Sequence, residues 1–183
     1  MKVYRDVTIV ILTQYSLNVI KSLEGQAEHY SFLSEGTTDP RPEVLSALKK
    51  QLGQTGSIVA YNAAFEIRVL KSCVGHFPQY GAWIESMLPR IVDLYIPFRN
   101  FHFYHPDQNG STSLKAVLPV MTGQSYAGLE IADGQAASLR FREMAFGNLE
   151  EDRKKKIRNA LEIYCHQDTE GMIGIIKALH SLC

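Results

Sequence analysis

The sequence predicts an α/β layer fold built on a mixed sheet, on three observations. An apolar, β-branched opening leads into a hairpin pattern. Short strand-like runs then alternate with helical periodicity, and the closing stretch is helical almost throughout. The expected order is hairpin, helix, strand, helix, strand, helices. At 183 residues the chain reads most simply as one domain, 1–183, long enough to bury a substantial core.

Val7-Thr-Ile-Val-Ile-Leu12 has strand composition. Residues 15–20 and 28–33 follow as strands, and a turn at Leu23-Glu-Gly-Gln26 makes them a hairpin. Residues 34–42 are loop, and Pro42 suits the first turn of a helix running to about Leu52. Ser57-Ile-Val-Ala-Tyr61 is a short apolar strand introduced by Gly53 and Gly56. Residues 62–70 then read as a helix with Asn62 at its N-cap. Residues 78–89 are an irregular or short helical connection, and 90–94 a further strand. Pro106-Asp-Gln-Asn-Gly-Ser111 is a strong loop signal, with helix expected over 113–120. Residues 123–134 read as loop, closing in an Asp133-Gly134 turn, and 135–145 as helix. Asn148-Leu-Glu-Glu151 has capping-box spacing and begins the final helical region.

Bulk properties narrow the class. Hydrophobic residues at 45% and charged residues at 21% are ordinary for a soluble globular protein. The nearest approach to a membrane span is the apolar run 7–12, far too short, and no small-residue cleavage site follows it as in a signal peptide. No membrane partner is expected. Cys73, Cys165 and Cys183 lack paired metal spacing and suit a reducing cytoplasm, the compartment expected here. Nineteen basic residues balance nineteen acidic ones, which argues against a dedicated high-affinity nucleic-acid binder. It argues little against a nuclease, whose metal ions carry the local positive charge.

The most informative pair is Tyr164 and Asp168. Residues four apart share a helix face, and that face is otherwise apolar: Ile157, Leu161, Cys165, Met172, Ile176 and Leu179 follow helical spacing. An acid set into a core-facing stripe is costly to ionise without a partner. It calls for a hydrogen-bond network, a cation or a metal ion. Taken alone, a core contact with a tyrosine or arginine accounts for it. A second acid, Glu66, sits one turn into the helix that follows the 57–61 strand, at the sheet edge where α/β sites gather. Taken alone, it is a first-turn acid complementing the helix dipole.

Together these stretches resemble the DnaQ-like, or DEDD, 3′–5′ exonucleases of the ribonuclease H-like superfamily. Asn62-Ala-Ala-Phe-Glu66 is similar to that family's second motif, with Glu in place of the usual Asp. Tyr164-Cys-His-Gln-Asp168 is similar to its third motif in the tyrosine branch, since Ile163 stands where the histidine branch would need His. Arg90-Ile-Val-Asp-Leu94 resembles the strand that follows the second motif, and residues 110–118 its Ser-Leu segment. More narrowly, the run from Gln14 to Asp168 is similar to an uncharacterised bacterial domain family related to these exonucleases. Tyr61-Asn62-Ala63, Tyr104-His-Pro-Asp107 and Gly110-Ser111 are its distinctive stretches. The resemblance implies a ribonuclease H-like mixed β-sheet flanked by helices. The family's first motif, Asp-x-Glu on the opening strand, is absent upstream of Glu66, where Asp6 and Glu24 lack that context. The chain therefore reads as beginning downstream of the first strand, or as having lost it. An exposed sheet edge should then promote self-association, or draw the 7–12 run into the vacant position.

The implied activity is metal-assisted hydrolysis of a phosphodiester at the 3′ end of single-stranded DNA or RNA. Two Mg²⁺ or Mn²⁺ ions roughly 3.5–4 Å apart would activate water and stabilise the leaving oxygen. On this reading Asp168 and Glu66 are metal ligands, and Tyr164 positions the attacking water. Asn62, Phe65, Lys115 and His105 face the substrate: Asn62 holds the terminal nucleotide, Lys115 a phosphate, and the aromatic and histidine loop a terminal base. With only two of the four acids, the expected activity is weak or nil. The rival class is a non-catalytic ribonuclease H-like module that binds nucleic acid or a protein. Other groups carry less. His102, His105 and Asp107 match no zinc spacing. Arg153-Lys-Lys-Lys-Ile-Arg158 follows acids at 150–152 and reads as a solvated helix face. Asp93 is expected to orient a neighbour by hydrogen bonding.

Overall fold

The computed structural model describes residues 12–36 and 38–182. The expected 7–12 strand lies outside them except for Leu12. The fold is α/β, as predicted, with seven α-helices and four short strands among the described residues. The strands do not form one mixed sheet there. β1 (Gln14–Val19) and β2 (Glu28–Leu33) make an antiparallel hairpin in which Gln14 faces Leu33 and Val19 faces Glu28. β3 (Ile58–Ala60) and β4 (Ile91–Asp93) make a separate parallel pair, with Ala60 opposite Asp93. The inward-facing edges of β1 and β3 have no strand partner among the described residues.

Helices hold the two pairs in place. α1 (Arg41–Gln51), α2 (Ala63–Val74) and α3 (Gly81–Met87) bury Leu45, Leu70, Cys73, Ile84 and Met87 against one another, with Leu12 and Ile58 packed alongside. Pro42 stands in the first turn of α1, where its missing N–H costs nothing. Arg90 pins the Gly53–Gly56 bend that feeds β3. Its guanidinium donates to the carbonyls of Leu52, Gly53, Thr55 and Gly56 at 2.6–3.0 Å. Gly53 and Gly56 have φ of +56° and +85°, so the bend needs residues without a Cβ. α4 (Ile96–Arg99) and α5 (Leu114–Thr122) build a second core around Phe98, Val117, Leu118, Tyr126 and Ile175.

α6 (Gly134–Phe146) and the 31-residue α7 (Glu151–Ser181) close the fold. α7 is the spine. Ile157 and Leu161 enter a third core with Leu33, Ile131 and Met144, while Ile175 enters the second. Its length is about 46 Å at 1.5 Å per residue, so one helix reaches both strand pairs. Gly171 lets α5 approach closely, because a Cβ there would meet Leu118 Cδ1 at 2.9 Å. The capping box expected at Asn148 does not form. The N-cap is Glu150, two residues later, and no side chain caps it; Glu151 and Asp152 complement the dipole instead. The basic run that follows is the surface helix face expected for Lys154, paired with Glu151 at 3.0 Å. Arg158 departs from it, reaching inward to the carbonyls of Leu33 and Ser34 and tying α7 to β2.

Candidate functional site

The strand β3 ends at a tight turn, and that turn carries the first half of the site. Asn62 takes a left-handed conformation, φ 66° and ψ 54°, which asparagine tolerates better than other residues with a Cβ. It occupies the N-cap position as predicted, but its side chain accepts no helix N–H. Its backbone amide instead donates to Asp93 Oδ1 at 2.9 Å, and the same oxygen accepts from the Tyr95 amide at 3.0 Å. Asp93, at the end of β4, thus braces the turn from the neighbouring strand, the orienting role its position suggested. Tyr61 adds a second brace, donating from its hydroxyl to the Thr112 carbonyl at 2.6 Å.

Beyond the turn, Phe65 and Glu66 stand in the first turn of α2. The Arg68 guanidinium lies 5.3 Å from the Phe65 ring centre. Glu66 is exposed as a residue, yet its carboxyl group is surrounded by enough protein that desolvation raises its pKa. The nearby charge of Asp93 raises it further, against the lowering effect of its own backbone N–H.

The second half comes from the middle of α7. Asp168 is half-buried between apolar neighbours, and burial is the main reason its carboxyl pKa is raised. The hydrogen bond from Tyr126, the positive charge of Lys115 and the neighbouring Tyr164 hydroxyl work in the other direction. The Tyr126 hydroxyl donates to Asp168 Oδ1. Both phenols are pushed well above the ordinary tyrosine value, first by burial and then by the carboxylate, so they remain donors at any physiological pH. The two rings lie 6.1 Å apart, and Lys115 Nζ is 6.0 Å from the Tyr126 ring centre. Cys165, one turn before Thr169, is pushed up to about 12 by burial and then by Asp168, and is an unreactive thiol.

These halves meet in one cavity of about 440 Å³ at the end of the gap between β1 and β3. Glu66, Phe65 and Asp168 line it, together with Gln14, Tyr61 and Thr169. Tyr164 does not line it; its ring packs between two cores, and it acts on the cavity through Asp168. Asn62 and Lys115 stand outside the lining, the first as a backbone pivot and the second as an exposed cation near Asp168. His105 is engaged elsewhere. Its Nδ1 accepts the Asp107 amide at 3.3 Å, and its amide donates to Gln108, closing a capping box on the short 3₁₀ turn Pro106–Gln108.

Tyr126 is the participant sequence reading missed. It lies in a stretch without periodicity or motif, 42 residues before Asp168. The only available signal was the general one that a buried acid needs donors. Ser16, Asn18 and Thr169 form a second polar link. The Ser16 and Thr169 hydroxyls lie 2.9 Å apart and Asn18 donates to Thr169 at 3.1 Å, joining β1 to α7 beside the cavity.

Carboxylate oxygens are the right donors in kind for Mg²⁺ or Mn²⁺. In number they fall short. No group of three or more His, Cys, Asp or Glu side chains that could hold a metal ion occurs among the described residues, and Tyr126 already engages one Asp168 oxygen. The described residues do not constitute a two-ion centre.

A mixed α/β domain with a cavity flanked by Glu66 and Asp168 is the class that fold and site define. Within it, the chain belongs to the family described as a domain of unknown function (DUF2779), whose family model matches residues 7–113. From the sequence, an uncharacterised domain family is expected over Gln14–Asp168; the match bears out a domain of unknown function over residues 7–113. The match spans Gln14, Asn62, Phe65, Glu66 and His105, and it ends before Lys115, Tyr126, Tyr164 and Asp168. No curated protein and no solved structure matches the chain. No helix among the described residues is long and apolar enough to cross a membrane.

Proposed function

We propose that this domain is a DnaQ-like, ribonuclease H-like phosphodiesterase module of the 3′–5′ exonuclease type, acting on single-stranded DNA or RNA and needing further acidic ligands for full activity. The observation that carries the reading is the convergence of Glu66 and Asp168. They lie 102 residues apart on different helices and line one cavity beside the end of β3. A packed helix face needs no acid at Asp168, because a carboxyl half-buried among apolar neighbours is costly to keep ionised at neutral pH. Tyr164 joins Tyr126 in orienting the Asp168 carboxylate, and Phe65 offers an exposed ring at the cavity mouth on which a terminal base can stack. Divalent ions, when bound, would supply the activated water and stabilise the leaving oxygen. The chain's own residues would orient that site and hold the strand end.

The test is cleavage of 3′-labelled single strands in Mg²⁺ and Mn²⁺, run beside calorimetric titration of Mn²⁺. The chain as given should bind Mn²⁺ weakly and trim the 3′ end slowly or not at all. A form carrying an added Asp-x-Glu strand should cleave, with activity abolished by Asp168→Ala. The second reading, a non-catalytic binding module, is favoured by the Tyr126–Asp168 bond, which satisfies the acid without a metal. Single-strand binding by the extended form, with no cleavage and no Mn²⁺ binding, would establish it over the enzyme.

A further inference from the structure

The loop that follows α4 carries three aromatic rings, and only one of them serves the core. Phe103 packs edge-on against the buried Phe98 at 5.9 Å. Phe101 and Tyr104 stay outside, 63% and 43% exposed, with ring centres 5.7 Å apart and planes tilted by 55°. Phe101 is also held at a conformational cost. α4 closes with two backbone bonds, from the Phe101 amide to the Phe98 carbonyl at 3.0 Å and from the His102 amide to the Pro97 carbonyl at 2.8 Å. Such a closure puts the residue after the C-cap, here Asn100, in the left-handed region, where glycine is usual. Phe101 stands there with φ of +55°. The other non-glycine residues with positive φ among the described residues are Asn62 and Asn109, and asparagine tolerates that region. A bulky ring does not, and so little burial cannot offset the strain. What the position gains from phenylalanine is an exposed ring.

We propose that Phe101 and Tyr104 form a stacking platform for successive bases of a single nucleic-acid strand, with Arg99 on its phosphates; this rests on the nuclease-module reading above and adds to it where the strand lies beyond the cavity. Charge favours this occupant. Arg99 and His102 flank Phe101, both exposed, and their side chains make no hydrogen bond or ion pair among the described residues. Asp107 is the one acid between residues 94 and 112, and it lies 3.7 Å from His105. Exposed rings beside an unpaired guanidinium match a strand's bases and backbone, and every base offers a face to stack. The platform is also tied to the cavity. The Tyr104 hydroxyl accepts the Gly110 amide at 2.9 Å, and Leu114, four residues further on, lines the cavity with Glu66 and Asp168. Four residues span at most about 14 Å, so a strand whose end enters the cavity reaches the platform within a few nucleotides.

Fluorescence anisotropy of the full chain with a labelled oligo(dT) of about twelve nucleotides, in EDTA so that nothing is cleaved, tests this. Phe101→Gly removes the ring and relieves the strain. Binding should fall at least about fivefold, the lower end for one stacked base, while the denaturation midpoint holds or rises. Phe101→Tyr keeps a ring and should bind as the parent does. Should Phe101→Gly fail to fold, Phe101→Asn tolerates the same backbone and should show the same loss. Arg99→Gln should lower the slope of log affinity against log salt by about 0.7. A parent chain that binds no strand overturns the proposal, and so does unchanged affinity in Phe101→Gly. Binding lost in Phe65→Ala but kept in Phe101→Gly would place the strand at the cavity alone, removing the platform and leaving the nuclease-module reading intact. That reading stands or falls separately, on cleavage by the extended form. A dimer seen by light scattering that Phe101→Gly dissociates would assign the rings to a second copy and overturn the platform equally.

Discussion

The two acids of the cavity sit in contrasting surroundings. Glu66 stands at the start of α2, exposed, with its own backbone N–H as the one hydrogen-bond donor that lowers its pKa. Asp168 stands in the middle of α7, held by the Tyr126 hydroxyl and flanked by Tyr164 and Lys115. The α2 turn is positioned by backbone contacts, Asn62 to Asp93 and Tyr61 to Thr112, which leave the Glu66 carboxylate available. The α7 acid is positioned by contacts to the carboxylate itself. The difference teaches that fold and site are separable at Glu66 and coupled at Asp168. Changes at α7 should read out in stability, and changes at Glu66 in ligand binding.

The largest effect is expected where α7 anchors the fold. Leu161 is almost fully buried in the core shared with Leu33 and Ile157, so Leu161→Ala should cost about 2–5 kcal/mol in denaturant unfolding. A cost below about 1 kcal/mol would mean that α7 is not the spine. Next comes Tyr126→Phe, which leaves Asp168 with one donor fewer and should destabilise by about 1–3 kcal/mol at neutral pH. Removing a donor to the ionised form raises the Asp168 pKa further, so the loss should shrink in acid.

Asp168→Asn sharpens the comparison through pH. The folded-state pKa of Asp168 is raised above its ordinary value by burial. The protonated form is therefore favoured by folding. That stability is fully present below the unfolded pKa and is lost as pH rises through the folded pKa. The Asn variant should melt higher than the parent at pH 7, with the gap closing as pH falls below the ordinary aspartate range. A constant gap across that window would show that ionisation is not the cost. The smallest stability change is expected for Glu66→Gln, within about 0.5 kcal/mol, because the residue is exposed. The same substitution should abolish any Mn²⁺ binding measured by calorimetry. A variant that binds Mn²⁺ as the parent does would remove Glu66 from the site.

Several elements were legible from local pattern alone. The hairpin 28–33 strand, the helix after Pro42 and the strand before Asn62 depend on turn residues and periodicity that act over a few positions. The long apolar stripe through Ile157, Leu161 and Met172 did likewise for α7. Elsewhere the local pattern was not the whole account. Asn62 has N-cap chemistry, yet Asp93 from the adjacent strand captured its amide and the backbone turned left-handed. Asn148 has capping-box spacing, yet the helix began later. His105, expected to face the substrate, also caps its own turn through Asp107 and Gln108, a local role the loop pattern did not show.

The sequence by itself determined that two acids lie at the starts or faces of helices, in an α/β chain balanced in charge. Spacing of four residues on one apolar face is a local property, and so is an acid one turn past a strand. Only the tertiary structure decided that Glu66 and Asp168 share a cavity, that Tyr126 reaches Asp168, and that β1 and β3 are not paired with each other among the described residues. Each of those depends on α7 running under both strand pairs and on which side chains its burial leaves without water. Contacts across a hundred residues are set by packing, which no short window of sequence contains.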